Sequence, residues 1–195
     1  MSAATAKKAP ADKREAILDA GLALFVERGF HGTAVPELAA AAGVGAGTIY
    51  RYFPSKEAIV NELYRREKHR LTGRVLERFP VDAVAREQFR TLWHRMVEYA
   101  VAEPLGFAFL EFHNHRSYLD DDSRAIEARI RDFGLAFLTA AQRRGEVRPV
   151  DPMVLIGIVM GAFIGLVRHG DECGRPLDAA GWVTAEQCVW EAIRS

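Results

Sequence analysis

Residues 43–56 read Gly-Val-Gly-Ala-Gly-Thr-Ile-Tyr-Arg-Tyr-Phe-Pro-Ser-Lys. Gly43 ends one helix in a tight turn, a second helix starts near Gly45, and Pro54 stops it. The exposed side chains of that short helix are Thr, Tyr, Arg and Tyr. A solvated surface helix would carry more Glu and Lys, while a core helix would carry fewer hydroxyls and no Arg. Small residues at the start with aromatic hydroxyls behind suit an element that must approach a flat, anionic surface. The expectation is a recognition helix for the major groove of double-stranded DNA.

The pattern stays helical in both directions from this stretch. Upstream, Asp12 with Glu15 predicts a capping box, and Ile17, Leu18, Gly21, Leu24 and Phe25 follow at helical spacing until Gly29. A second helix is expected over 35–42, with Leu38, Ala39 and Ala42 facing inward. Downstream, Ser55 is placed to cap a long fourth helix carrying Ile59, Leu63 and Leu76. Further helices are expected over 83–102, 105–117, from the Asp120–Ser123 caps to Gly145, 152–169 and 177–194. No hairpin signal occurs, so the predicted class is all-α. It divides into a basic arm (1–11, flexible), a three-helix helix-turn-helix domain (12–56), a connecting helix (57–79) and a C-terminal helical domain (80–195). The apolar run 153–167 falls short of the roughly 20 residues that span a bilayer, so it is expected to be a buried helix and no membrane partner is expected.

Charge is unevenly spread although the net is zero. Residues 1–70 hold 11 Lys/Arg against 8 Asp/Glu, and residues 71–195 hold 15 against 18. A basic head on an acidic body fits a polyanion-binding N-terminus. Two cysteines, Cys173 and Cys188, exclude a disulfide framework and most Cys-based metal sites. No apolar secretory stretch opens the chain, and a cytoplasmic location is expected. His113 and His115 lie two apart, on different faces of a helix rather than around one ion. There is no Glu-X-X-His pair, phosphate loop or nucleophile motif. No catalytic residue, metal or cofactor is therefore expected.

Residues 17–63 add a more specific signal. Ala20, Phe25, Gly29-Phe30, Thr33, Val35, Leu38-Ala39, Ala42-Gly43-Val44, Gly47-Thr48-Ile49-Tyr50, Tyr52-Phe53 and Lys56-Glu57 closely resemble the N-terminal domain of tetracycline-repressor-like (TetR family) transcription regulators. The resemblance implies a phosphate contact for Thr33 and a base-edge position for Gly47 and Thr48, behind Gly45 and Ala46. It implies backbone contacts for Tyr50, Tyr52 and Lys56. Hydroxyls and a Lys suit phosphate oxygens, which fix register without reading sequence. Arg51 has two readings, a contact to phosphate or a guanine edge and a solvated outer face. The arm with Lys7, Lys8, Lys13 and Arg14 likewise reads as a DNA-reaching segment or as a plain tail. Ala34, Gly45 and Ala46 depart from the family pattern, where a Thr, a Ser and a polar or basic residue are common. These departures leave little side-chain chemistry for reading bases.

The resemblance further implies a homodimer on a palindromic operator, most often a repressor, released by a small effector. In the family the last two helices form the dimer interface. Gly157, Gly161 and Gly165 recur on one helix face and allow close approach, with Trp182, Val189 and Trp190 as candidate anchors; packing within one subunit is the competing reading. Trp93, Met96, Phe109, Phe112, Phe133, Phe137, Met160 and Phe163, with His113 to orient a polar group, are candidates to line a pocket for a mainly hydrophobic or aromatic effector. The same residues also suit a plain core. Two rivals remain: a helix-turn-helix regulator with no small-molecule ligand, and a helical-bundle enzyme or binding module that does not bind DNA.

Overall fold

The computed structural model describes residues 10–195; the expected basic arm, including Lys7 and Lys8, lies outside the described residues save for its last two positions. The described residues form nine α-helices and no strand. They are α1 (Pro10–Arg28), α2 (Val35–Ala42), α3 (Ala46–Tyr52), α4 (Lys56–Leu76), α5 (Ala85–Ala102), α6 (Pro104–Phe112), α7 (Asp121–Arg143), α8 (Pro152–Glu172) and α9 (Ala179–Ile193). The all-α class is as expected. Two compact units emerge, one of residues up to Lys68 together with Leu105–Arg124, the other of His69–Pro104 with Ala125–Ser195.

In the first unit α1, α2, α3 and the start of α4 enclose Ile17, Leu18, Phe25, Leu38, Ile49, Ile59 and Leu63, all essentially buried. At Gly21 helix α1 packs on α4, and a Cβ there would be in van der Waals contact with both Ile59 and Leu63 at 3.4 Å. Ser55 caps α4 by accepting from the Ala58 amide, and Asp120 caps α7 through the Ser123 amide. Helix α1 starts at Pro10, two residues before the expected cap, so Asp12 lies in the first turn, where a carboxylate favours the helix dipole. Helix α6 stops at Phe112 rather than 117. The His115 ring reaches back to the Phe109 carbonyl at 2.6 Å, the acceptor that a continued helix would have used. A turn closed by Tyr118 and Leu119 amides on the His115 carbonyl follows. Because the Phe109 carbonyl can only accept, His115 Nε2 carries the proton in this contact.

In the second unit, rings from α5, α8 and α9 form the centre. Trp93 meets Phe163 at 5.1 Å, Phe89 meets Trp190 at 5.4 Å and Phe163 meets Trp182 at 5.4 Å. Arg86 on α5 grips the buried carboxylate of Glu186 on α9 with both terminal nitrogens. Helix α8 corrects one expectation: only Leu155, Phe163 and Gly170 are buried, so the rest of this apolar helix is exposed or half-buried in a single chain. It is also the one helix among the described residues long and apolar enough to cross a membrane by length and composition.

Two stability measurements check this arrangement. Arg86→Leu strands the carboxylate of Glu186, which is only 2% exposed. It is expected to cost about 3 kcal/mol in denaturant unfolding, against a smaller loss for Glu186→Gln. Burial pushes the His115 pKa below the usual imidazole value, helped by neighbouring His113 and Lys68 and opposed by the Phe109 carbonyl and Glu111. The unfolded chain takes up that proton near pH ~6.5, so this contribution to stability is complete above that pH and lost as pH falls below it. The drop in Tm from pH 7.5 to 5.5 is expected to be smaller in His115→Gln than in the wild type.

Candidate nucleic-acid interface

The turn before α3 is built from backbone geometry. Gly43 takes a left-handed conformation (φ 67°) that caps α2 through bonds to the carbonyls of Ala39 and Ala40, a geometry that costs most residues energy. Gly45 then serves as the N-cap of α3 with extended backbone and no side-chain bond. Ile49 is 1% exposed and Phe53 4%, so the inner face of α3 is anchored in the unit's core. Glu37 supplies the missing half of a cap at α2, accepting from the Ala34 amide at 3.3 Å.

The outer face of α3 is almost bare. Gly45, Ala46 and Gly47 are exposed and Thr48 half-buried. A Cβ at Gly47 would meet nothing within 4 Å, and one at Gly45 only the Thr48 hydroxyl at 3.9 Å. The fold does not need these positions small, which fits a surface kept low for a close partner. Beyond them Tyr50 is 56% exposed, Arg51 is exposed and Tyr52 half-buried. Arg51 has no ion-pair partner among the described residues, whereas Arg28 is paired with Glu27 and Glu37. An unpaired exposed guanidinium beside phenol hydroxyls is suited to anionic oxygens.

One expected contact is corrected, that of Thr33. Thr33 is fully buried, and its hydroxyl donates to the carbonyls of Gly29 and Leu24 at 2.9 and 3.2 Å, so it is not presented to a phosphate. Lys56 Nζ donates to the carbonyls of Phe30 and Thr33 at 2.6 and 2.9 Å and lies 4.1 Å from the Phe30 ring centre. Lys56 as a whole is half-buried, and two of its three ammonium donors are used here. Lys13 and Arg14 belong to α1 rather than to an arm, and Arg14 pairs with Glu15 and Glu62 and lies over Phe53.

The sequence reading missed Tyr118 and Asn61. Tyr118 stacks on Phe30 at 3.9 Å and its hydroxyl lies 2.8 Å from His31 Nε2. Asn61 donates to the Tyr118 carbonyl and accepts from the Asp120 amide. A lone aromatic within the polar run His113–Asp120 was the available signal.

The other candidates separate between the two units. Phe109, Phe112 and His113 lie in the first, where Phe109 is fully buried against Phe25 and His115. Trp93 and Phe163 are buried in the ring cluster of the second unit, while Met96, Phe133, Phe137 and Met160 are half-buried there. A cleft of about 100 Å³ in the first unit is lined by His31, His113, His115, Tyr118 and their neighbours, below the ~300 Å³ of small-molecule sites. Trp182, Val189 and Trp190 are also corrected: all three are at most 9% exposed within one chain, filling its own core rather than a partner's. Gly157, Gly161 and Gly165 instead are exposed, and a Cβ on any of them would meet nothing.

Comparison with known proteins follows this geometry. Residues 17–63 match the family model for bacterial regulatory proteins of the tetR family, and residues 64–195 match the tetracyclin repressor-like C-terminal domain. The chain is 43% identical over 53 residues to the HTH-type transcriptional repressor KstR2 of Rhodococcus jostii, covering 27% of this chain and 26% of that one. It is 36% identical over 72 residues to the fatty acid metabolism regulator protein of Bacillus subtilis, covering 37% of each. These matches thus span only about a quarter to a third of the curated relatives. The fold as a whole is similar to that of a TetR family transcription regulator from Marinobacter aquaeolei VT8, with TM-score 0.82, 22% identity and coverage of 95% and 97% of the two chains. With family models matching 17–63 and 64–195, a bare-faced α3 anchored by Ile49 and an all-helical body, this chain belongs to the tetR family of DNA-binding transcriptional regulators.

Proposed function

We propose that this regulator is a cytoplasmic repressor that binds a palindromic operator as a homodimer and is released by a small, mainly hydrophobic effector. In this reading residues 12–56 read DNA, 57–79 connect and 80–195 dimerise and sense. The observation that carries it is α3: an exposed Gly45-Ala46-Gly47 surface flanked by the unpaired Arg51 and exposed Tyr50. Thr48 and backbone contacts leave room for a thymine methyl or a groove edge, and two-fold symmetry would set the two α3 helices one DNA turn, or a multiple, apart.

Dimerisation is supported by the exposed face of α8, where Val154, Ile158 and the glycine strip lie open to solvent. Val183 of α9 is exposed as well. Such a face in one chain favours a second copy. An effector is supported by the half-buried Met96, Phe133, Phe137 and Met160 and by Trp93 Nε1, which is buried without an acceptor. An unmet buried donor costs about 1–3 kcal/mol, and a ligand oxygen would relieve it. Release of DNA then requires the effector to prefer one dimer arrangement by free energy. The close ring contacts of Trp93, Phe163 and Trp182 favour a second reading, a regulator with a solid core and no small-molecule ligand.

Three measurements test these readings. Gly161→Leu, at a position where an added Cβ would meet nothing within 4 Å in one chain, is expected to keep its helical circular dichroism while light scattering shows one-chain rather than two-chain mass. Retention of the dimer would move the interface away from α8. Arg51→Ala is expected to weaken binding to operator DNA by about 1–3 kcal/mol, roughly five- to 150-fold; unchanged affinity would remove Arg51 from the interface. In a thermal-shift screen, fatty acyl and steroid compounds that raise Tm should also release DNA, and a screen with no stabilising compound would favour the solid-core reading.

A further inference from the structure

Tyr118 comes from the segment that follows α6, outside residues 17–63, yet it belongs to the first unit. Its ring stacks on Phe30 with centres 3.9 Å apart and planes 23° from parallel. Its hydroxyl lies 2.8 Å from Nε2 of the neighbouring His31. Phe30 and His31 sit in the turn between α1 and α2, in a stretch that neither helix includes. One side chain from 113–120 therefore holds both aromatic residues of the turn from which α2 starts. Phe30 meets Phe25 of α1 at the greater distance of 6.2 Å, so the Tyr118 ring is the nearest of its stacked neighbours among the described residues.

This brace is itself anchored on α4. Asn61, 4% exposed, uses its side-chain amide in both directions. Its Nδ2 donates to the carbonyls of Tyr118 at 2.7 Å and Glu57 at 3.0 Å, and its Oδ1 accepts from the Asp120 amide at 2.8 Å. A buried amide satisfied in this way fixes the register of the chain it holds, because a slip of one residue would leave its donors and acceptor unmet. Arg65 of α4 adds bonds to Asp120 and Ser123. The Tyr118 and Leu119 amides close on the His115 carbonyl, so Tyr118 leaves a tight turn with its backbone already tied.

We propose that Tyr118 is a positioning residue for DNA binding, acting through Phe30 to hold the α1–α2 turn, and with it α2, in the arrangement that presents α3. The proposal rests on the DNA-binding reading of the first unit. Helix α2 has eight residues and α3 seven, too few to be stable unless packed, so their placement depends on what holds the chain around them. Removing a stacked ring shifts a local equilibrium by about two- to tenfold. A head whose competent arrangement is only partly populated loses apparent affinity in the same proportion. The ring carries most of this effect, because the hydroxyl's partner His31 is exposed and can bond to water instead.

The test uses the full-length protein and the duplex that the wild type selects from a random pool, titrated by fluorescence anisotropy at a temperature where circular dichroism shows each variant folded. Tyr118→Leu is expected to bind about three- to tenfold more weakly, while Tyr118→Phe, which keeps the stacked ring, should stay within about twofold of the wild type. Phe30→Leu should lose at least as much as Tyr118→Leu, and the double variant little more than Phe30→Leu alone, as for two residues acting through one contact. Hydrogen exchange read by mass spectrometry needs no DNA: in Tyr118→Leu, amides of 29–42 should exchange faster while those of α9 keep their wild-type rates. Tyr118→Met takes the place of Tyr118→Leu if the latter does not fold. Wild-type affinity in Tyr118→Leu, equal losses in Tyr118→Phe and Tyr118→Leu, additive losses in the double variant, or unchanged exchange over 29–42 would overturn the proposal. A wild type that selects no duplex would overturn the DNA-binding reading and the proposal with it, and the exchange rates tell that failure apart from a failed brace.

Discussion

Helix α3 spans only Ala46–Tyr52, and a helix of that length is not stable in water on its own, so its place depends on burying Ile49 and Phe53 in the core of the first unit. That burial leaves Ala46, Tyr50 and Arg51 exposed on the outer side of α3. The rest of the unit serves this constraint. Gly43 supplies the left-handed turn that aims α3, α1 and α4 close the core beneath it around Gly21, Ile59 and Leu63, and Ser55 starts α4 directly after it. The outer surface can then stay low and almost free of side chains, because stability comes from the inner one.

The second unit shows the opposite use of apolar residues. Its large rings are turned inward, with Trp93, Trp182, Trp190, Phe89 and Phe163 packed together, while small and medium residues of α8 are turned outward. Burying a Trp removes far more apolar surface from water than burying a Gly. A chain that must hold itself together before meeting a copy of itself therefore keeps its rings. The surface left for a partner is flat and glycine-lined, where backbones can come close.

Much of this architecture was readable from residue order. Caps and breakers located the helices, because Gly43, Pro54, Ser55 and Asp120 act through local backbone chemistry. The motif around Gly47-Thr48-Ile49-Tyr50 was legible for the same reason, since a turn and the short helix after it involve neighbours in sequence. What could not be read was which polar groups stay free. Thr33 and Lys56 have the residue types of phosphate ligands, yet the buried Thr33 hydroxyl is taken up by the carbonyls at 24 and 29, and Lys56 also ties the carbonyls at 30 and 33. Likewise nothing local distinguished Trp190, which faces Phe89, from an interface anchor.

By itself the sequence determined the all-α class, the order of helices and the kind of surface that α3 presents, because these follow from periodicity, capping and side-chain size along a short stretch. Only the tertiary structure decided that Leu105–Arg124 packs with the N-terminal helices, that Tyr118 meets Phe30 across 87 intervening residues of chain, and that α8 rather than the tryptophans of α9 is left exposed. Those outcomes depend on which distant side chains compete for the same buried volume and the same hydrogen-bond acceptors. That competition is settled when the chain closes on itself.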